Sequence, residues 1–294
     1  MIVTVCTLQI FDLDTLSVHY KFQAPSDEAA ACSAIRFVSD GNMATKNVVL
    51  AAQGERVTQY HATSGTVMAS MQEEGNNIYA LDVRKDGEVF VTGGSDHSVR
   101  VTDRNARKLV STFGNKNASG TQGHTNRIYS VAYCDQDPQI VASGGWDKVV
   151  CIWDLRLRSG RCATTLFGPF VCGDALSFCD NVLATGSWRN DNPLQIWDWR
   201  RPGLLRNLPF PQEINNSCLV YAAKMLDSDC LGAGGSGSAP CFRFYTTEGR
   251  MMGSWPAPSA VHSIATATKG AHRKAVVCCE AHIAIFSVPS PQSS

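Results

Sequence analysis

The sequence predicts an all-β repeat fold, and two observations carry that prediction. The segments VTGGSD (91–96), ASGGWD (142–147), ATGSWR (184–189) and GAGGSG (232–237) align so that Gly93, Gly144, Gly186 and Gly234 share one column, and such self-similarity marks repeat architecture. Strand-length apolar runs bounded by turn residues fill the rest of the chain, with no sustained helical periodicity. A chain of 294 residues suits one large closed unit, so 1–294 is expected to be a single domain.

One of the four segments has a competing reading. GAGGSG matches the G-x-G-x-x-G spelling of a dinucleotide-binding turn, which needs a helix N-terminus after it to receive the pyrophosphate. After Gly237 the chain runs SAPCFRFYTTEGR, a loop and an alternating strand, so no helix opens. The glycines are therefore assigned to the repeat, and no cofactor is expected.

The sharpest register is QGHTNRIYSVAYCDQDPQIVASGGWDKVVCIWDLR, residues 122–156, with Gly123 and His124 near its start and Trp153 and Asp154 near its end. It resembles a WD40 repeat. Aligning the chain on that last pair puts the aspartate column at Asp12, His61, Asp103, Asp154, Asp198, Thr246 and Ser287, so the resemblance implies a seven-bladed WD40 β-propeller. The expected blades are approximately 1–24, 25–74, 75–116, 117–168, 169–211, 212–258 and 259–289.

Taken in order, blade one offers three strand-like runs (IVTVC, LQIFDL, SVHYKF), blades two to six offer four each, and blade seven offers three (AVHSIAT, KAVVCCE, IAIFSV). The N-terminal blade is thus expected to be incomplete. A strand closing the last blade and the innermost strand of blade one would precede Met1, in a sequence short at its N-terminus; the alternative is an open seam with exposed strand edges.

In the family, a histidine before strand a, a serine or threonine in strand b, an aspartate in the b-to-c turn and the strand-c tryptophan form a buried hydrogen-bonded network. The matching residues are His124, Ser143, Asp147 and Trp153. They mimic a Ser-His-Asp triad, but the serine would be interior with no oxyanion donors beside it, so a structural role is expected instead. The other blades lack the full set, which makes blade four the expected stiffest.

A propeller acts through its faces and rim, and fold alone does not specify the partner. The resemblance puts the d-to-a and b-to-c loops on a top face where partner peptides dock. The opening position of strand a falls at Ser33, Tyr79, Tyr129, Asp174, Tyr221 and His262, with Trp146 and Trp188 in the b-to-c turns beside it. Aromatics with a polar tip suit a wet, apolar surface. Tyr79, Tyr129, Tyr221, His262, Asp174, Trp146 and Trp188 are therefore the expected protein-binding residues, against the alternative that the aromatics merely cover blade edges.

On the opposite face the c-to-d turns DRNARK, DLRLRSGR and DWRRPGLLR gather Arg104, Arg107, Lys108, Arg156, Arg158, Arg161, Arg200 and Arg201. The plainer reading is solvated loop charge, partly offset by Asp135, Asp137 and Asp180. Within that strip, IVASGGWDKVVCIWDLR and the WDWR of the next blade resemble the WDxR box of propellers that serve as substrate receptors of cullin-type ubiquitin ligases. That resemblance makes Arg156 and Arg200 possible adaptor-binding residues through their planar guanidinium forks.

Composition narrows the remaining classes. Basic and acidic residues, 26 of each, cancel, so no global field draws the chain to nucleic acid or an anionic membrane. No apolar run is long enough to span a bilayer, and MIVTVCTLQIFDLD lacks a basic n-region, which points to a cytoplasmic location with nuclear or cytoskeletal association left open. The 12 cysteines make no C-x-x-C pair and are expected as buried, reduced thiols. Cys278, Cys279, Glu280 and His282 sit on a strand that sends adjacent side chains to opposite faces, so no metal site is expected. The expected function is a non-enzymatic scaffold holding other proteins or peptides in a multiprotein complex. The ligase receptor is the alternative, with an RNA-associated assembly factor behind it.

Overall fold

The structure, a computed structural model, describes residues 7–15, 17–23, 31–38, 47–114, 123–157, 160–213, 216–269, 272–280 and 282–288. Among the described residues there is no helix. Five four-stranded antiparallel sheets run along the chain, each ordered a, b, c, d from the centre of the ring outward. Blade two is Cys32–Phe37, Val48–Gln53, Arg56–His61 and Val67–Gln72, and blade three is Ile78–Val83, Val89–Gly94, Val99–Asp103 and Lys108–Phe113. Blade four is Ile128–Tyr133, Ile140–Gly145, Val149–Asp154 and Thr164–Phe167. Blades five and six start at Leu176–Cys179 and Leu219–Met225, and a short ribbon, Gln212–Glu213 with Asn216–Ser217, precedes blade six.

Blade seven has three strands, Val261–Lys269, His272–Cys279 and Ile283–Ser287, and the N-terminal blade shows two, Thr7–Phe11 and Val18–Gln23. The N-terminal blade is thus incomplete among the described residues, and the predicted run IVTVC lies outside them. Its two-stranded sheet fills the gap between its neighbours. Leu8 packs on Ala51 and Tyr60 of blade two, and Lys274 of blade seven donates to the Leu13 carbonyl at 3.1 Å.

Strand c ends on the predicted column residue in six blades: His61, Asp103, Asp154, Asp198, Thr246 and Ser287. The glycine column has an equally direct cause. A Cβ on Gly93 would lie 2.6 Å from Ile128 Cγ2, and one on Gly144, Gly186 or Gly234 would meet Val171, Val220 or Val261 at 2.8, 2.5 and 2.7 Å. In each case strand b presses against a branched side chain of the next blade, and only hydrogen fits. Within GAGGSG, Gly234 is the residue packed between blades six and seven.

A second glycine opposes an irregularity in strand a. Cβ atoms on Gly94, Gly145 and Gly235 would stand 2.2, 2.0 and 1.8 Å from the carbonyls of Asn77, Arg127 and Leu219. At those points strand a carries a bulge, where the register skips one residue: Tyr79, Tyr129 and Tyr221 have no partner in strand b. Ser33 and His262 are skipped in the same way. A bulge bends the strand and re-aims the extra side chain. The repeated opening position is therefore a repeated bulge, and its side chains turn to the mouth of the central channel.

Candidate functional site

The bulge residues and the b-to-c turns meet around that mouth. Tyr79 stacks on Tyr129 with centroids 5.0 Å apart, and Tyr129 stacks on Trp146 at 5.1 Å. The row continues through Phe170 and Trp188 to Tyr221, each step 6.3 Å, and ends at His262, 5.7 Å further on. Seven rings thus run in unbroken contact from blade three to blade seven. Offset and tilted contacts at these separations are the favourable ones for aromatic quadrupoles, so the belt is a preorganised surface.

Four of the seven hold the repeated opening position of strand a, and Trp146 and Trp188 are the residues expected from the b-to-c turns beside it. Phe170 was missed, because it lies in the irregular stretch GPFVCGD before blade five, which matches no column. Trp146, Trp188 and His262 are exposed, and the other four rings are half-buried. Arg127 lies over the Trp146 ring at 5.8 Å. Beneath Trp146 its indole N–H donates to Cys172 Sγ at 3.0 Å, and burial pushes that thiol up to about 11, so it stays protonated near neutral pH.

Inside the belt is a cavity of about 540 Å³, lined by Ser33, Tyr79, Tyr129, Tyr221 and His262 and floored by Arg36 and Asp174. Arg36 reaches across the channel: its Nη2 donates to both Asp174 oxygens at 2.9 and 2.8 Å, and its Nε donates to Asp82 at 3.2 Å. Burial alone would lower the guanidinium pKa, but Asp174 and Asp82 outweigh it and the value is raised. Asp174 precedes strand a of blade five, and its carboxylate serves as an internal ion-pair partner at the channel floor. On the far side of this bridge a second cavity, about 450 Å³, opens to the opposite face between Arg84, Tyr133 and Lys224.

The blade-four network forms as the family resemblance implied. Trp153 Nε1 donates to Ser143 Oγ at 2.7 Å, Ser143 Oγ lies 2.7 Å from His124 Nε2, and His124 Nδ1 lies 2.8 Å from Asp147. Satisfying all four groups puts the imidazole proton on Nδ1, donating to Asp147, while Ser143 donates to Nε2. Burial pushes Asp147 upward, but the bonds from His124 and from the backbone of Thr125 and Val149 more than offset it, and its carboxyl is held below 3.8. Ser143 and Trp153 are both 0% exposed, so no substrate reaches the serine.

Blade three, which lacks the full set of family residues, has a network of different composition. Glu73 accepts from Thr92 Oγ1 at 2.5 Å and from Asn76 Nδ2 at 2.7 Å, while Arg100 sits 3.5 Å from it and 2.6 Å from Asp96. Here burial wins over the bonds from Thr92, Asn76 and Arg100, and the Glu73 pKa is raised above 4.5. No motif announced it, since a glutamate and an arginine occupy the roles that histidine and tryptophan fill next door.

The basic strip is less uniform than its sequence. Arg104 is buried and donates to the Gly87 carbonyl at 2.5 Å, which corrects its placement among solvated loop charges. Arg107 reaches back to the Met68 carbonyl at 3.3 Å. Arg156, 57% exposed, is already forked onto Asp154 at 2.8 Å and Asp137 at 3.2 Å. Arg200 lies over the Trp199 ring at 5.1 Å, and Arg158 falls outside the described residues. On strand b of blade seven Cys279 is buried and Cys278 half-buried; among the described residues no three His, Cys, Asp or Glu side chains converge on one point.

The WD domain, G-beta repeat, family matches residues 65–103 and 115–154. Among curated relatives, Cell division cycle 20.5, cofactor of APC complex, from Arabidopsis thaliana is 29% identical over 159 residues, covering 53% of this chain and 33% of the relative. Autophagy-related protein 16 of the same plant is 24% identical over 153 residues, with 52% and 28% covered. The human GATOR2 complex protein WDR24 is 26% identical over 161 residues, with 49% and 20% covered. The match thus spans a third or less of each of these relatives.

Proposed function

We propose, from the premise that this chain is a WD40-repeat propeller, that it is a protein-interaction scaffold whose partners dock on the aromatic belt at the top of the channel. WD40 propellers are generally non-catalytic, and this one is read as non-enzymatic. The observation that carries the proposal is the run of seven touching rings around one channel mouth. Rigid aromatics with polar tips supply contact area at low entropic cost, which is why such residues dominate binding energy at interfaces. Relatives named as a cofactor of the APC complex and a protein of the GATOR2 complex support membership of a multiprotein assembly. A cytoplasmic assembly without nucleic acid or membrane insertion fits the balanced charge.

The ligase-receptor alternative is less favoured, because the Arg156 fork is engaged by Asp154 and Asp137 within the chain. The test is affinity capture of the tagged chain from its native cells with mass spectrometry. Partners should disappear with Tyr129→Ala plus Trp146→Ala and persist with Arg156→Ala plus Arg200→Ala. The reverse pattern would replace the belt by the arginine turns.

A further inference from the structure

Between blades three and four, two large rings close the inter-blade space. Trp153 on strand c of blade four packs on Phe113 at the end of strand d of blade three, with centroids 5.9 Å apart. One blade earlier, the register puts Thr102 at the position of Trp153 and Met71 at that of Phe113. Both rings are missing there. In their place lies a cleft of about 550 Å³ between blades two and three, its walls including Met71, Gln72, Glu73, Arg100, Thr102 and Leu109.

We infer that this cleft is a docking site for a tryptophan side chain of a partner peptide, which would supply the indole that blade three lacks. The size is that of a small-ligand site. The polar groups match an indole as well. Glu73 lines the cleft and has acceptor capacity for an indole N–H, because its two oxygens offer about four lone-pair sites. Arg100 Nη1 is buried without a hydrogen-bond partner, and its guanidinium plane is a cation for the face of the ring. In blade four the same position already holds an indole that donates its N–H to a polar group of its own blade, Ser143. Leu109 of its wall is exposed, and Val67, Met68 and Val110 on the outer strands of the two blades are exposed apolar side chains as well, which suit the flanking residues of a peptide. The site is separate from the aromatic belt and does not depend on its role.

The experiment is titration calorimetry of the whole chain with N-acetyl-tryptophanamide, and with N-acetyl-leucinamide as control. Saturable binding of the tryptophan amide alone is expected. Thr102→Trp puts the chain's own indole into the space, so it should weaken binding by at least about tenfold and raise the melting temperature. Leu109→Glu, on the exposed lip, should also weaken it, and decides the matter if Thr102→Trp does not fold. Tyr129→Ala plus Trp146→Ala should leave it unchanged. The inference is overturned by no saturable heat, by equal binding of the leucine amide, by full binding in a folded Thr102→Trp or in Leu109→Glu, or by loss in the belt variant.

Discussion

Blades three and four share a backbone register and solve the same interior problem with opposite chemistry. In blade four a neutral chain of donors and acceptors, Trp153 to Ser143 to His124, ends on Asp147, whose carboxyl is depressed. In blade three the corresponding interior holds Glu73 beside Arg100, and burial raises the glutamate. The network is thus not a fixed set of residues but a shared need to pair the buried polar groups behind strand b, which blade three meets less completely, since Arg100 Nη1 has no hydrogen-bond partner. Meeting it with a tryptophan also fills the space between blades. Meeting it with an ion pair leaves a cleft and carries a desolvation cost.

The comparison is broken most severely by Trp153→Ala. Removing a fully buried indole should cost about 3–5 kcal/mol in denaturant unfolding, against about 1 kcal/mol for Thr102→Ala at the same register. If the two costs are equal, the indole is not what closes blade four. A second test replaces the ion pair by apolar groups. Glu73→Leu with Arg100→Met should be neutral or stabilising by about 1–4 kcal/mol, whereas Arg100→Ala alone should destabilise by leaving Glu73 unpaired. Equal losses for the double and single variants would mean that the pair contributes net stability.

The smallest effect, and the sharpest in sign, is the pH dependence. Asp147 is held below 3.8, so its contribution is present above that pH and is lost as pH falls through the folded-state value. Glu73 is raised above 4.5, so its contribution is full below that pH and is lost as pH rises through the folded-state value. Asp147→Asn should therefore flatten the acid side of the stability profile, and Glu73→Gln should remove the decline at higher pH. Melting curves across that range check both, and slopes of the same sign in the two variants would contradict the assignment.

Much of this was legible in the sequence. The strand-c ends at His61, Asp103, Asp154, Asp198, Thr246 and Ser287 obey one column, because turn chemistry and strand length repeat with the blade. The glycine column is legible as a repeat, but its partners, Ile128, Val171, Val220 and Val261, belong to the next blade and share no sequence pattern with it. The aromatic position was legible as a repeated letter, but its cause, a bulge opposite the second glycine, was not. The features that escaped entirely join distant segments. Arg36 and Asp174 are 138 residues apart and meet only because the ring closes, and no local pattern marks such a pair. Glu73 escaped because it stands where the family motif has a different residue.

With its guanidinium held by blades three and five at once, Arg36 is a crossbar over the axis of the ring. The belt-side cavity is floored by this bridge, and the cavity beside Lys224 includes its partner Asp82. One side chain of blade two thus braces three blades from inside the ring, as a spoke would brace a rim.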